Sequence, residues 1–251
     1  MIEVLTKRMG LPQSAYLGRR INKKLFQENA KLGATDKKAL REDVEAITWE
    51  YTLKPSTIPI KPYADNQQEY VEIAIIQVIL KSRDRTGRLS EIIHRAIPYP
   101  VVLVLADETS VCLSLATKRF SHAEKGAIVA GTFFATDWID PTGLSAAEES
   151  FLDSLAVASL PNANFKASYD ALIDRVIALD CAVRTGSFVL ESAAGRAETR
   201  RAALADCRDL EARIAEERAA LNNETQFNRQ VDGNMRIKEM ERELAQKVHE
   251  L

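Results

Sequence analysis

Six basic residues near the ends of predicted strands have the type and placement for contact with nucleic-acid phosphates. They are Lys81, Arg83, Arg85, Arg88, Lys118 and Arg119. Lysine and arginine neutralise phosphates in a salt-dependent way that carries no sequence information. We therefore expect a surface that tracks a nucleic-acid backbone with weak sequence preference, and the alternative is a set of ordinary solvated charges.

A second basic group lies in the N-terminal segment, and three aromatic residues follow it along the chain. The basic residues are Arg19, Arg20, Lys23 and Lys24, and the aromatic residues are Trp49, Tyr51 and Tyr99. The basic side chains are further candidates for phosphate contact, with a solvated helix face as the simpler interpretation. Aromatic rings stack on bases, but aromatic residues in strands more often pack in the core or across strands. Neither group decides the function alone.

Acidic residues near the predicted strands raise the alternative of a metal-dependent nuclease. Many such enzymes hold a hard metal ion with carboxylates and place a lysine two residues after one of the acids. The candidates here are Glu50, Glu72, Asp107, Glu108 and Lys118. The acid-x-lysine spacing fails, because Glu72 is followed by Ile73 and Ala74. The sequence therefore names no catalytic residue, and the divergent nuclease is kept as an alternative.

Other metal and cofactor motifs are missing from the sequence. The histidines show no ligand spacing and the cysteines form no CxxC pair; these residues are His94, His122, His249, Cys112, Cys181 and Cys207. Neither a GxxxxGK[ST] loop nor a GxGxxG turn occurs. We therefore expect no metal site, no cofactor and no ATP hydrolysis by this chain.

Composition and hydropathy predict a soluble protein of the cytoplasm. The formal net charge is -2, which disfavours polyanion binding by the whole molecule but is compatible with a local basic face. No apolar stretch approaches the roughly 18 to 20 residues that span a bilayer. The first residues, MIEVLTKRMGLP, lack the long apolar core of a signal peptide.

Apolar periodicity predicts an α+β fold with a mostly antiparallel sheet flanked by helices. Spacing of three to four residues predicts two N-terminal helices, one with Tyr16, Leu17, Ile21, Leu25 and Phe26, and one after Thr35 with Leu40, Val44 and Ile47. Strands are expected at 47–53, 57–60, 70–80, 101–106, 111–116 and 127–135, with a short helix at 89–97. The nearly continuous apolar run at 71–80 is typical of a central strand covered on both faces.

The chain changes character near Gly186, which predicts an α+β globular domain at 1–186 and a helical, coiled-coil-like tail at 187–251. The first domain ends with two helices, one opened by the capping box of Ser145 and Glu148 and running toward Leu160, and one at about 165–184. Glycine inside a helix costs about 1 kcal/mol relative to alanine. We therefore expect either one long helix or a hairpin that bends near Asp232-Gly233-Asn234. The residues expected to mediate assembly are Leu210, Ile214, Leu221, Phe227, Val231, Ile237, Met240 and Leu244.

A series of short segments carries a family resemblance. The segments are ITWEYTL at 47–53, EI at 72–73, AIPYP at 96–100, TKR at 117–119, TDW at 136–138, TQFNRQV at 225–231 and NM at 234–235. Together, and in this order, they resemble the bacterial domain-of-unknown-function family 4391. Members of that family are commonly encoded beside helicase-like ATPases and DNA methyltransferases in restriction-type antiphage clusters. The resemblance thus implies a context and partners, but no catalytic residue. Gly233 departs from the helix-favouring residue expected at that point of the tail.

These observations predict an accessory, non-catalytic subunit or adaptor of a bacterial DNA-directed antiphage defence system. The tail would assemble it with a helicase-like ATPase or a DNA methyltransferase, or with further copies of itself. DNA is the other candidate ligand, and no membrane contact is expected. A divergent metal-dependent nuclease and a free-standing coiled-coil scaffold are the alternatives.

Overall fold

A six-stranded mixed sheet organises the first part of the chain, and a pair of long helices forms the last part. The computed structural model describes residues 2–29, 32–121, 123–124, 126–191 and 194–251. These residues divide into two compact units, Met1–Leu179 and Asp180–Leu251. Within the described residues, none of the helices combines the length and apolar content that crossing a bilayer requires.

The elements of the first unit follow in chain order. They are α1 (Ile2–Met9), β1 (Tyr16–Arg20), α2 (Lys23–Asn29), α3 (Ala34–Glu42), β2 (Val44–Leu53), β3 (Tyr63–Ala64), β4 (Glu69–Tyr70), β5 (Ile73–Leu80), α4 (Thr86–Ala96), β6 (Val101–Ala106), β7 (Val111–Phe120), β8 (Ile128–Ala135) and α5 (Ala146–Ser154). Short 3-10 turns occupy Gln13–Ala15 and Val157–Ser159. The chain continues through α6 (Phe165–Thr185) to α7 (Ala194–Asn222) and α8 (Phe227–Val248).

The large sheet has the strand order β1-β2-β5-β6-β7-β8, and β3 and β4 form a separate two-stranded ribbon. Strands β5 and β6 are parallel, whereas the other neighbours in the large sheet are antiparallel. A parallel pair needs a long crossover, and α4 supplies it. The predicted α+β class with a mostly antiparallel sheet is confirmed, with one parallel pair at its centre.

Helices cover both faces of this sheet. On one face, residues of α2, α3 and α4, such as Phe26, Leu40 and Ile93, pack with alternate residues of the strands. On the other face, the Tyr169 hydroxyl of α6 donates to the carbonyl of Val101 at 2.7 Å. The central β5 and β6 are therefore buried on both sides, as the apolar run at 71–80 predicted.

The N-terminal segment differs from its prediction, because Tyr16–Arg20 forms edge strand β1 where a helix was expected. Gly18 has φ +56°, and the pairing register with β2 shifts between Tyr16 and Arg19. Such a bulge with a left-handed glycine is incompatible with a continuous helix. Pairing with β2 therefore overrides the three-to-four spacing. Val44 and Ile47, assigned to the second helix, belong to β2.

Two further boundaries also differ. Residues 57–60 form turns instead of a strand, with the Thr57 amide donating to the Lys54 carbonyl at 2.8 Å. The capping box of Ser145 and Glu148 is confirmed, but the helix that it opens ends at Ser154. Gly186, with φ +77°, ends α6 as predicted, because its amide donates to the Ala182 carbonyl in a left-handed C-terminal cap.

The second unit contains a helical hairpin. Ion pairs link α7 to α8 as Glu217–Arg236, Arg218–Glu241 and Asp206–Lys247. Arg236, in the first half of α8, pairs with Glu217 near the end of α7, whereas Lys247, near the end of α8, pairs with Asp206 in the first half of α7. The two helices are therefore antiparallel. The expected bend at Asp232-Gly233-Asn234 is wrong, because the chain turns at 223–226 and Gly233 lies inside α8.

Candidate functional site

Three of the predicted phosphate-contact arginines are already paired with carboxylates. Arg83 bonds Asp107 and lies 4.2 Å from the ring centre of Trp138. Arg88 bridges Asp36 and Glu91, with N···O distances of 2.6 Å to both. The third of these arginines, Arg85, is paired with Asp43.

Arg85 makes a two-pronged contact with Asp43, with Nε 2.5 Å and Nη2 2.7 Å from the carboxylate oxygens. Asp43 follows α3 and is 6% exposed. Fork-to-fork pairs of this kind fix orientation as well as charge. Together these arginines join the start of α4 to α3 and to the β6–β7 turn, so their guanidinium groups support the fold.

Lys118 is buried instead of lying on the surface, which corrects the prediction that it contacts phosphate. Its side chain is on β7, and the residue is 1% exposed. The ammonium donates to the backbone carbonyls of His94 and Ile97, the second at 2.6 Å. Burial lowers the pKa of Lys118 to about 8. His94 is in the last turn of α4 and Ile97 is its C-cap residue, so Lys118 satisfies orphan acceptors at a helix C-terminus.

Lys81 and Arg119 are the exposed members of the predicted set. Lys81 follows the C-terminal end of β5, whereas Arg119 is near the C-terminal end of β7. Because β6 is parallel to β5 and antiparallel to β7, these two ends point in opposite directions. The pairings Ile79–Ala106 and Ala106–Val111 put the level of Lys81 about ten residues from Arg119 along β7. At about 3.4 Å per residue, the two residues lie roughly 34 Å apart along the strands. The six residues therefore do not form one continuous surface.

A buried polar chain beside Lys118 was not found by sequence reasoning. Ser90 and Ser114 place their hydroxyl oxygens 2.6 Å apart, and the Nε2 of His94 lies 3.1 Å from Ser114 Oγ. The Nδ1 of His94 has no partner among the described side chains. Burial, reinforced by the charge of Lys118, lowers the pKa of His94 to about 3.

The three hydrogen-bonded residues, Ser90, His94 and Ser114, are all buried, and His94 is 0% exposed. A serine–histidine contact is the geometry of an activated nucleophile. Here a neutral imidazole and two hydroxyls are enclosed between α4 and β7, where no substrate can approach the oxygen. The spacing of Ser90 and His94, four residues apart on one helix, was the available sequence signal.

The acidic candidates for a nuclease site are dispersed. Asp107 is bound to Arg83, and this contact holds the pKa of its carboxyl well below the usual range. Partial burial raises the pKa values of Glu50 and Glu72. Among the described side chains, no group of three or more histidine, cysteine or acidic residues is placed to hold a metal ion. His122 lies outside the described residues.

The cysteines are free and buried. Burial raises the pKa of Cys112 to about 11, and it also raises the pKa values of Cys181 and Cys207. Low thiolate content and enclosure make such thiols unreactive in the folded protein.

The predicted assembly residues divide into an inward and an outward group. Leu210, Ile214 and Ile237 are buried, and Leu221, Met240 and Leu244 are partly buried. A Cβ atom at Gly233 would lie 2.9 Å from Cδ1 of Leu221, so the glycine allows α7 and α8 to approach closely. Gly233, Ile237, Met240 and Leu244 share one face of α8 by their spacing, and this face is turned toward α7.

Phe227, Val231 and Met235 form the outward group, here called the α8 stripe. Their exposed fractions are 74%, 41% and 65%. At about 100° per residue, the stripe lies roughly 150° around α8 from the face that contains Gly233. The stripe is therefore an apolar strip on the side of the hairpin facing away from α7. Sequence reasoning identified Phe227 and Val231 but did not include Met235 among the assembly residues.

Comparison with known proteins places the chain in one family. Neither a curated protein nor a solved structure matches it. A family model described as a domain of unknown function matches residues 9–244, which includes the sheet, α4 and most of the helical hairpin. The chain therefore belongs to the DUF4391 family.

Proposed function

We propose that this protein is an accessory, non-catalytic subunit of a bacterial DNA-directed antiphage defence system, and that it docks on a partner enzyme through the α8 stripe. The observation that carries the proposal is the exposure of Phe227, Val231 and Met235 on one side of an otherwise charged helix. Large apolar side chains that share an exposed face are characteristic of interaction sites. The cytoplasmic location and the defence context are parts of the same proposal.

The dimensions of the stripe favour a partner with a groove over a second copy of the chain. Residues 227–235 span about 12 Å of helix. Obligate homodimer interfaces commonly bury 2,000 Å² or more, which a strip of three side chains does not supply. Anchors at i, i+4 and i+8 instead suit a helix that lies in an apolar groove of another protein. The helicase-like ATPases and DNA methyltransferases associated with the family are the proposed partners.

The hairpin gives this stripe a rigid base. The pairs Arg236–Glu217 and Arg218–Glu241 link α8 to α7, and Gly233 allows the helices to approach closely. We propose that α7 and α8 form an antiparallel intramolecular coiled coil. A helix held in this way loses little conformational freedom on binding, which favours affinity.

The experiment is a binding measurement between the purified full-length chain and the purified product of each neighbouring gene, by calorimetry. We expect the double variant Phe227→Ser, Met235→Ser to weaken the complex at least tenfold, because truncating an interface hot spot costs about 2 kcal/mol or more. The matched control is Asp232→Ser, Glu243→Ser, which changes two exposed positions about 100° or more around α8 from the centre of the stripe. The control should bind as the wild type does.

Light scattering on the same samples separates the alternatives. A monomeric chain that binds none of the neighbouring gene products would refute the adaptor function. A defined oligomer that the double variant converts to a monomer would favour the free-standing scaffold. Cleavage of DNA by the purified chain, dependent on magnesium or manganese, would favour the divergent nuclease.

A further inference from the structure

An open groove of about 650 Å³ lies at the β1 edge of the sheet. Its wall combines residues of β1 and α2 with Trp49 of β2 and the segment 97–99 that follows α4. Two residues of this wall, Leu17 and Leu25, are 54% and 49% exposed. The groove thus presents apolar surface to solvent, and its volume is in the range of pockets that bind small ligands.

Two aromatic rings form part of this wall. Trp49 and Tyr99 have ring centroids 6.3 Å apart and an interplanar angle of 62°. The indole nitrogen of Trp49 donates to the Tyr51 carbonyl and to Thr52 Oγ1, which fixes the ring. Tyr99 is 37% exposed, so one of the two rings is accessible. Tyr51, the other aromatic candidate, packs against Tyr16, with a centroid distance of 5.3 Å.

Cationic side chains surround the same groove. Arg19 and Arg20 line it, and neither forms an ion pair with any side chain that the structure describes. A second groove, of about 400 Å³, shares Arg20 with the first and is also lined by Lys23 and Glu45. The pKa of Lys23 is lowered by partial burial and by the charges of Lys81 and Arg20. The fold therefore holds several cations close together, a placement that an anionic ligand would stabilise.

We propose that the groove binds single-stranded nucleic acid, with a base stacked on Tyr99 and phosphates bound by Arg19 and Arg20. Basic and aromatic side chains in one groove are the standard means of binding single strands. A paired base keeps its faces within the duplex stack, whereas an unpaired base has a face free for Tyr99. DNA and RNA share this chemistry, and the test compares their affinities directly. This site is independent of the α8 stripe.

The β1 edge is a poor template for the competing ligand, an extended peptide added to the sheet. The bulge between Tyr16 and Arg19 breaks the regular ladder, and Gly18 has φ +56°. Bulges of this kind blunt edge strands against pairing with another chain. The unpaired cations are also better matched by phosphates than by a neutral peptide.

The test is fluorescence anisotropy of the full-length chain with labelled 20-nucleotide dT and U strands and a 20-base-pair DNA duplex, from 50 to 200 mM salt. We expect both single strands to bind more tightly than the duplex. Tyr99→Leu keeps an apolar side chain and should weaken single-strand binding about tenfold. The pair Arg19→Gln, Arg20→Gln should reduce the slope of log K against log salt by about 1.4, since each single-strand contact contributes about 0.7.

The control pair, Lys7→Gln with Lys61→Gln, removes the same charge from exposed positions outside the groove. It should leave affinity within twofold of the wild type. Equal weakening by the control would overturn the proposal in favour of non-specific attraction, and so would an unchanged affinity for Tyr99→Leu. Failure of both strands to bind at 50 mM salt would also overturn it. Circular dichroism and thermal melting establish that each variant is folded.

Discussion

Replacement of Lys118 by methionine should change stability in a way that depends strongly on pH. The methionine keeps the length of the buried stem but removes the donor to the His94 and Ile97 carbonyls. Each buried carbonyl left without a partner costs about 1 to 3 kcal/mol. The same replacement also removes a buried positive charge, which favours the variant.

The second effect follows from the pKa of Lys118, which is lowered from 10.5 to about 8. Because one unit of pKa is worth about 1.4 kcal/mol, protonation of the buried amine costs the folded wild type about 3 kcal/mol at pH 7. At that pH the two effects largely cancel, and we expect the free energy of unfolding of Lys118→Met to lie between about 1 kcal/mol above and about 3 kcal/mol below that of the wild type.

The pH dependence has a definite sign. The unfolded chain keeps its proton on Lys118 up to about pH 10.5, whereas the folded protein releases it above about pH 8. Between these values the unfolded state binds more protons, so the free energy of unfolding of the wild type rises with pH. The methionine variant lacks this contribution. Its deficit relative to the wild type should therefore grow by about 2 kcal/mol from pH 7 to pH 10.

Urea denaturation followed by circular dichroism measures this deficit at each pH. The control is Arg119→Met, the next residue on β7, which is exposed and should stay within about 0.5 kcal/mol of the wild type. A deficit for Lys118→Met that stays constant between pH 7 and pH 10 would refute the account of a buried amine. If Lys118→Met were as stable as the wild type at both pH values, the carbonyls of His94 and Ile97 would not need the Lys118 amine as a donor.

Three further variants test the hairpin, the buried histidine and a helix cap. Gly233→Leu should lower the free energy of unfolding by about 1 to 3 kcal/mol, because even a Cβ would lie 2.9 Å from Leu221 Cδ1; urea denaturation measures it. His94 has its pKa lowered from 6.5 to about 3, so the unfolded state takes up a proton first as the pH falls. The contribution of neutral His94 to the free energy of unfolding is fully present above pH 6.5 and falls by about 2 kcal/mol by pH 5. The His94→Gln variant should lack this pH dependence. Urea denaturation of both proteins across that pH range measures the difference. Ser145→Ala should cost about 1 kcal/mol in thermal or urea unfolding, because it removes the acceptor for the Glu148 amide.

Each of these expectations has a contrary outcome. Gly233→Ala is the control for the hairpin and should be close to neutral, because better helix propensity offsets the contact with the flexible end of Leu221. A neutral Gly233→Leu would contradict close packing there. Equal acid sensitivity of His94→Gln and wild type would exclude His94 as the titrating group. A Ser145→Asp variant that fails to restore stability would show that the loss in Ser145→Ala is unrelated to capping.

Buried elements were predictable from sequence because burial itself produces the apolar pattern. The run at 71–80 indicated a central strand, and β5 occupies that position. Strand β1 gave no such signal, since all five of its residues are exposed. Its conformation depends on pairing with β2, about thirty residues away in sequence, and local spacing does not record a long-range partner.

The candidate sites show the same limit. Lys118 was assigned to the surface from its charge, although the alternation of β7 places it on the side of the strand that holds Ser114 and Ala116. The alternation of side chains along β7 could therefore have predicted from the sequence that Lys118 is buried. In the tail, the helix-breaking property of Gly233 suggested a turn, whereas the structure uses its small size for close packing with Leu221. Helix propensity alone does not distinguish these two uses of glycine.

The enclosed thiols provide the protein with its own reporters of opening. Cys112 belongs to the first unit, whereas Cys181 and Cys207 belong to the second. All three are buried, so an alkylating reagent reacts only when the surrounding structure opens. Peptide mapping of the modified protein after timed exposure would then give one opening rate for the sheet and another for the helical unit. The two units would thus be compared within a single intact chain, without dissecting it or attaching a probe.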